Sequence, residues 1–213
     1  TTEIRGIFLL ILALFFFFFF YASSKYLAQT FPVPILVWVR YSVHCLLMLL
    51  FLGPSMGRRL IVAQQPAYQI LRALMLLSCT ICGVTAYSLM PLGETTAIAF
   101  VSPLIVALLA GPWLGEKLTL PRWFAIGLGL IGIILIARPG GATNPEGIVF
   151  ALDAAFFLAV YQLLTRQLAA SENTLTMLFY TALVGALAMT LALPWIWGGP
   201  MPSVFEMLLM VAL

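Results

Sequence analysis

Two charged side chains sit inside stretches of sequence that are otherwise almost wholly apolar. Arg40 lies within Pro34–Leu52 and Asp153 within Gly147–Leu168, each about two turns from the start of its segment. A charge in hydrocarbon costs free energy unless it faces a partner or a wet cavity. His44 follows Arg40 by one helical turn on the same face, and Phe157 and Tyr161 follow Asp153 in the same way, with Gln162 beside them. Two arrangements suit this set. One is a solute cavity lined by Arg40, His44, Asp153, Phe157, Tyr161 and Gln162, with Asp153 or His44 as the carrier of a proton. The other is a structural Arg40–Asp153 pair that fixes helix register, with a satisfied His44 nearby.

Three further residues have positions suited to gating or coupling. Glu94 stands in the first turn of an apolar segment that runs to Leu114, where the helix N-terminus stabilises a carboxylate. Pro103, inside that segment, removes a backbone donor and is expected to kink it. Glu116 falls at the C-terminal end, where the helix dipole disfavours an acid, and Lys117 beside it softens that cost.

Catalytic patterns are weak by contrast. Gly53-Pro-Ser55-Met-Gly57 matches the nucleophile elbow, but that motif needs a preceding strand and convergent His and acid partners. Gly127-Leu-Gly129-Leu-Ile-Gly132 matches the dinucleotide fingerprint yet lies mid-segment. There Ala125, Gly129 and Gly132 share one face and favour close helix packing. Cys79 and Cys82 have redox or zinc spacing without a second ligand pair, so they read as small buried side chains. No phosphate-binding G-x-x-x-x-G-K-[ST] loop occurs. The reading is therefore no enzyme, no cofactor and no metal, and the absence of a basic face gives no reason to expect nucleic acid.

The elements that position these residues follow from composition. The chain is 63% hydrophobic and 8% charged, with a mean hydropathy of +1.12. A soluble domain carries about 25% charged residues. Spanning segments fall at Ile4–Leu27, Pro34–Leu52, Ile70–Met90, Thr95–Leu114, Pro121–Ala137, Gly147–Leu168 and Thr174–Trp197, with a further one starting near Ser203. Each is close to the ~20 residues that cross a bilayer. The fold class is all-α, a polytopic membrane helix bundle. Basic residues concentrate on one side if the N-terminus is cytoplasmic: Arg5, Arg58, Arg59, Arg72, Lys117, Arg122 and Arg166 against Lys25, Arg40 and Arg138. On that reading Lys25 snorkels to the interface. The Phe15–Phe20 run places rings all round the first helix, and part of it must face lipid.

A shift of about 141 positions lays Gly6-Ile7 on Gly147-Ile148, Phe15-Phe16 on Phe156-Phe157, and Lys25 on Arg166. Five spans separate the two starts, so the second unit is expected to run inverted, as in secondary transporters with a solute site at the repeat interface. Residues 1–140 then form a first five-helix repeat and 145–213 the start of a second. A full second unit would extend past Leu213, and the chain reads as part of a ten-span protein.

Several stretches together resemble a known family. They are Pro91-Leu-Gly-Glu-Thr-Thr-Ala-Ile-Ala-Phe-Val-Ser-Pro103, Leu114-Gly-Glu-Lys117, Arg122-Trp123, Arg138-Pro-Gly140, Lys25-Tyr-Leu, Trp38-Val-Arg-Tyr41 with His44, and Tyr161-Gln-Leu-Leu-Thr-Arg166. Their order and spacing are similar to the EamA family of the drug/metabolite transporter superfamily. The resemblance implies a ten-helix, two-repeat carrier in a bacterial inner membrane, with both termini cytoplasmic. It would move amino acids, nucleosides, related metabolites or drugs, often outward, through a cavity between the halves. The partners expected are a small solute, the lipid bilayer and a coupling proton or ion. The alternatives are a non-transporting membrane subunit or sensor and an intramembrane enzyme.

Overall fold

The computed structural model of the chain describes residues 2–114, 120–137, 144–196 and 203–212. These residues form helices α1 (Thr2–Leu27), α2 (Val33–Met56), α3 (Pro66–Leu89), α4 (Leu92–Ala99), α5 (Val101–Leu114), α6 (Leu120–Ala137), α7 (Pro145–Leu168), α8 (Thr174–Ile196) and α9 (Val204–Ala212). Among the described residues six stretches are long and apolar enough to cross a membrane, one of them the α4–α5 pair taken together from Leu92 to Trp113. In hydrocarbon each backbone N–H must be bonded internally, and a helix does this within one segment. The chain is an integral membrane helical bundle.

Local chemistry sets the ends. Pro145 occupies the first turn of α7, and the Asn144 side chain accepts a hydrogen bond from the Glu146 N–H at 3.0 Å, which satisfies one otherwise orphaned donor. At α9, Ser203 and Glu206 bond each other's backbone N–H groups reciprocally, as a capping box does. Gly57 ends α2 at φ +50°, a conformation that other residues resist. The segment after Leu52 is helical through Pro54 to Met56 and continues as a 3-10 turn over Gly57–Leu60. Consequently α3 starts at Pro66, four residues ahead of the sequence expectation.

The segment through Pro103 is broken where its chemistry requires. Proline at 103 can donate nothing to Ala99, and its ring crowds that carbonyl. The helix duly stops at Ala99 and restarts at Val101. Thr95 and Thr96 then donate their hydroxyls to the Pro91 and Leu92 carbonyls in the first turn of α4.

The central helix is α3, packed most extensively on α7 and also on α8, α1, α2 and α4. A second seam joins α2 to α8, while α4 and α5 pack on α7 and α6. Two close approaches fix these seams. A Cβ on Gly185 of α8 would collide with the Tyr41 ring of α2, and a Cβ on Gly129 of α6 would stand 3.0 Å from Leu104 of α5. The outer face of the bundle is apolar, with Phe15, Phe16, Phe18, Leu50, Phe51 and Leu128 exposed to the lipid position.

Candidate functional site

Between α1, α2, α3, α4 and α7 lies a cavity of about 150 Å³. Its wall includes Arg40 from α2, Phe17, Phe20 and Tyr21 from α1, Cys79, Thr80 and Tyr87 from α3, and Ala154, Ala155 and Leu158 from α7. The Arg40 guanidinium lies over the Phe20 ring at 4.3 Å from its centroid and 5.8 Å from that of Tyr41, an attraction between cation and ring quadrupole. Among the described residues Arg40 makes no hydrogen bond and no ion pair. Behind it the Thr80 hydroxyl donates to the Leu76 carbonyl at 2.8 Å, so the Tyr41 phenol donates to Thr80 at 3.1 Å. Tyr21 and Tyr87 stack obliquely across the cavity with centroids 5.1 Å apart.

A wider cleft of about 790 Å³ opens beside it, lined by residues of α1, α4, α5 and α6 that include Phe18, Thr96, Phe100 and Gly129. Phe17 and Tyr21 belong to both spaces. The two cavities are neighbours across a pair of aromatic side chains.

A second arginine is buried between α3, α7 and α8. Arg72 of α3 is 2% exposed. Its Nε donates to Thr165 Oγ1 at 2.7 Å, one terminal nitrogen to the Met177 carbonyl at 3.0 Å and to Thr181 Oγ1 at 3.1 Å, and the other to the Tyr161 phenol at 2.9 Å. Its charge also lies 4.7 Å from the centroid of the Tyr161 ring. One turn earlier, Gln69 is fully buried, and neither its amide nitrogen nor its oxygen has a partner among the described residues. Further out, the Gln65 N–H donates to Glu172 at 2.7 Å and the Tyr180 phenol to the Ile61 carbonyl at 2.9 Å. The first bond ties the α2–α3 connection to the α7–α8 connection, and the second ties it to α8. Half-buried Lys25 donates its ammonium to the carbonyl of Met90, just past the end of α3, at 2.6 Å.

The residues singled out from the sequence are dispersed. Arg40 lines the cavity, and half-buried His44 lies one turn further along α2. Asp153 is exposed on the flank of α7, beside Ala154 and Ala155 which face the cavity, and no ion pair joins it to Arg40 among the described residues. Phe157 is half-buried and touches Phe156 edge-on. Tyr161 belongs to the Arg72 network and Gln162 is exposed. Glu94 is half-buried in the first turn of α4, and Pro103 sits just after the helix break. Glu116 lies outside the described residues. Ser55 of the elbow-like motif is at a helix end, its hydroxyl bonded to the Leu52 carbonyl. Arg72, Gln69, Phe17, Phe20, Tyr21, Thr80 and Tyr87 carry much of the geometry, and sequence reasoning passed over all of them as site residues.

A bundle of membrane-crossing helices around a small cavity with a lone charge in its wall defines a polytopic membrane protein with an interior solute-sized chamber. The chain belongs to the EamA-like transporter family, whose model matches residues 4–138. It is 27% identical over its whole length to the S-adenosylmethionine uptake transporter of Rickettsia conorii, covering 71% of that protein. It is 26% identical to the riboflavin transporter of Vibrio cholerae, over 90% of this chain and 65% of that one. The pseudopaline exporter of Pseudomonas aeruginosa is likewise 26% identical, over 90% of this chain and 66% of that protein. A solved crystal structure shares the fold with a TM-score of 0.62 at 20% identity, over 93% of this chain and 72% of the other.

Proposed function

We propose that this small-metabolite membrane transporter is a secondary carrier that works by alternating access, with its solute held at Arg40 between the two halves. The observation that carries the reading is the interior cavity whose only charged wall residue has no protein counter-charge among the described residues. Helix pairing supports an inverted repeat: a shift of 141 pairs α7 with α1, α8 with α2 and α9 with α3. Under that exchange the α3–α7 seam corresponds to α1–α9, α3–α8 to α2–α9, and α2–α8 to itself, and all of these contacts occur. The Arg72 network is then the closed gate at one end, which we assign to the cytoplasm on the positive-inside bias. The membrane is the bacterial inner membrane, in keeping with the bacterial relatives.

Coupling belongs to Asp153 in this reading. It is the single aspartate of the sequence and sits about 12 Å along α7, next to residues that line the cavity. The test is solute flux into proteoliposomes, with S-adenosylmethionine and riboflavin as first probes, driven by a proton gradient. Asp153→Asn is expected to remove the gradient-driven part of uptake by about tenfold or more while exchange of solute persists. Uptake by the variant that still follows the gradient would assign coupling elsewhere. No flux of any solute would remove the carrier reading.

A further inference from the structure

The Arg40 guanidinium is held by aromatic rings, Phe20 at 4.3 Å and Tyr41 at 5.8 Å from their centroids, whereas none of its five N–H donors is used among the described residues. A planar guanidinium with free edges matches a carboxylate or phosphate in two parallel hydrogen bonds. Among the described residues no carboxylate lines the cavity, and the other polar side chains there bear hydroxyls and a thiol. The Thr80 and Tyr41 hydroxyls are already bonded to Leu76 and to each other.

We infer that the cavity is an anion site: the solute presents a carboxylate or phosphate to Arg40 and lays a flat, unsaturated group against Phe17, Phe20, Tyr21 and Tyr87. This rests on the carrier reading for its biological setting but not for its chemistry. The volume agrees, since about 150 Å³ accommodates one six-membered ring. A flat group gains from offset or edge contact with the surrounding rings, and the anion supplies the counter-charge that the protein withholds. A larger solute would extend past Phe17 and Tyr21 into the adjoining cleft.

The experiment is a binding series on the purified protein in detergent, read by isothermal titration and thermal shift. The probes are benzoate, phenyl phosphate, benzamide, benzylamine and acetate. Benzoate or phenyl phosphate is expected to bind roughly 10- to 100-fold more tightly than benzamide, the margin of a hydrogen-bonded charge over a neutral group. Whichever of the two is tighter identifies the anion as carboxylate or phosphate. Acetate is expected to bind more weakly than benzoate, and benzylamine not to compete. Arg40→Gln is expected to erase the preference for anions, and Arg40→Lys to keep it in weaker form, each with an unchanged elution profile. Benzamide or benzylamine binding as well as benzoate would overturn the anion assignment in the wild-type protein, without recourse to any variant. Acetate binding as well as benzoate would overturn the flat group. Flux of neutral solutes with no anion preference would leave the carrier standing and sink this proposal; anion binding without flux would do the reverse.

Discussion

Arg72→Met is expected to leave the bundle folded and to reduce transport by at least about tenfold. Arg72 is buried with no carboxylate in contact among the described residues, and desolvating such a charge costs several kcal/mol. Its bonds to four neutral oxygens return about 1.5–3 kcal/mol each, so the arginine comes close to balance rather than strongly stabilising the fold. Removing it strands few groups. The Thr165 hydroxyl already donates to the Tyr161 carbonyl at 2.7 Å, and the Thr181 hydroxyl to the Met177 carbonyl at 2.9 Å; only the Tyr161 phenol is left without its partner. Methionine also fills most of the space. The unfolding midpoint is therefore expected to move by no more than about 1.5 kcal/mol in equivalent stability. The loss falls on function, because α3, α7 and α8 would no longer be latched at that end. A variant that unfolds, or one that transports normally, contradicts this account. Arg72→Ala is the informative companion: it adds a cavity costing about 2–5 kcal/mol, so its midpoint is expected to fall where that of the methionine variant does not.

Gly185→Ala is the second large effect, and it is one of stability. The added methyl would collide with Tyr41 Cδ1 and stand 2.6 Å from Cε1 and Cγ of the ring. Tyr41 is 2% exposed and cannot swing aside without losing its bond to Thr80. Overpacking of this kind costs about 1–3 kcal/mol, and the broken hydrogen bond adds about 1 kcal/mol. The midpoint in detergent is expected to drop by several degrees. Gly83→Ala is the control, since its methyl would meet Ala154 Cβ at an ordinary 3.9 Å. Tyr41→Val in the Gly185→Ala background is expected to recover much of the loss, and strict additivity of the two changes would rule out the clash as its cause.

Much of the architecture was legible in the sequence because each spanning helix must be long and apolar, and Pro and Gly mark the breaks. Pro103 foretold the interruption at Phe100, and Gly129 foretold a close helix contact. The site was less legible, for two physical reasons. Helices that are apolar all round do not declare which side faces inward, so nothing in the run sets Phe17 and Phe20, which line the cavity, apart from exposed Phe15, Phe16 and Phe19. Helical stripes also drift: residues eight apart differ by about 80° around the axis. That drift separates exposed Asp153 from Tyr161 in the Arg72 network, although one stripe connects them in the sequence. A segment read from Ile70 places Arg72 at a wet edge, whereas the helix begins at Pro66 and carries it inside.

Two of the arginine–ring contacts, Arg40 with Phe20 and Arg72 with Tyr161, differ by one atom of the ring. Position 20, displaced by 141, falls on position 161, and each carries an aromatic ring beneath a guanidinium. At 161 the ring bears a phenol oxygen, and Arg72 spends one of its donors there. At 20 the ring ends in carbon, and the donors of Arg40 stay unspent. The arginines themselves are not exchanged by that shift, since position 40 displaced by 141 falls on Thr181; a single hydroxyl on the ring beneath accompanies the difference between a guanidinium spent on the fold and one whose donors stay open.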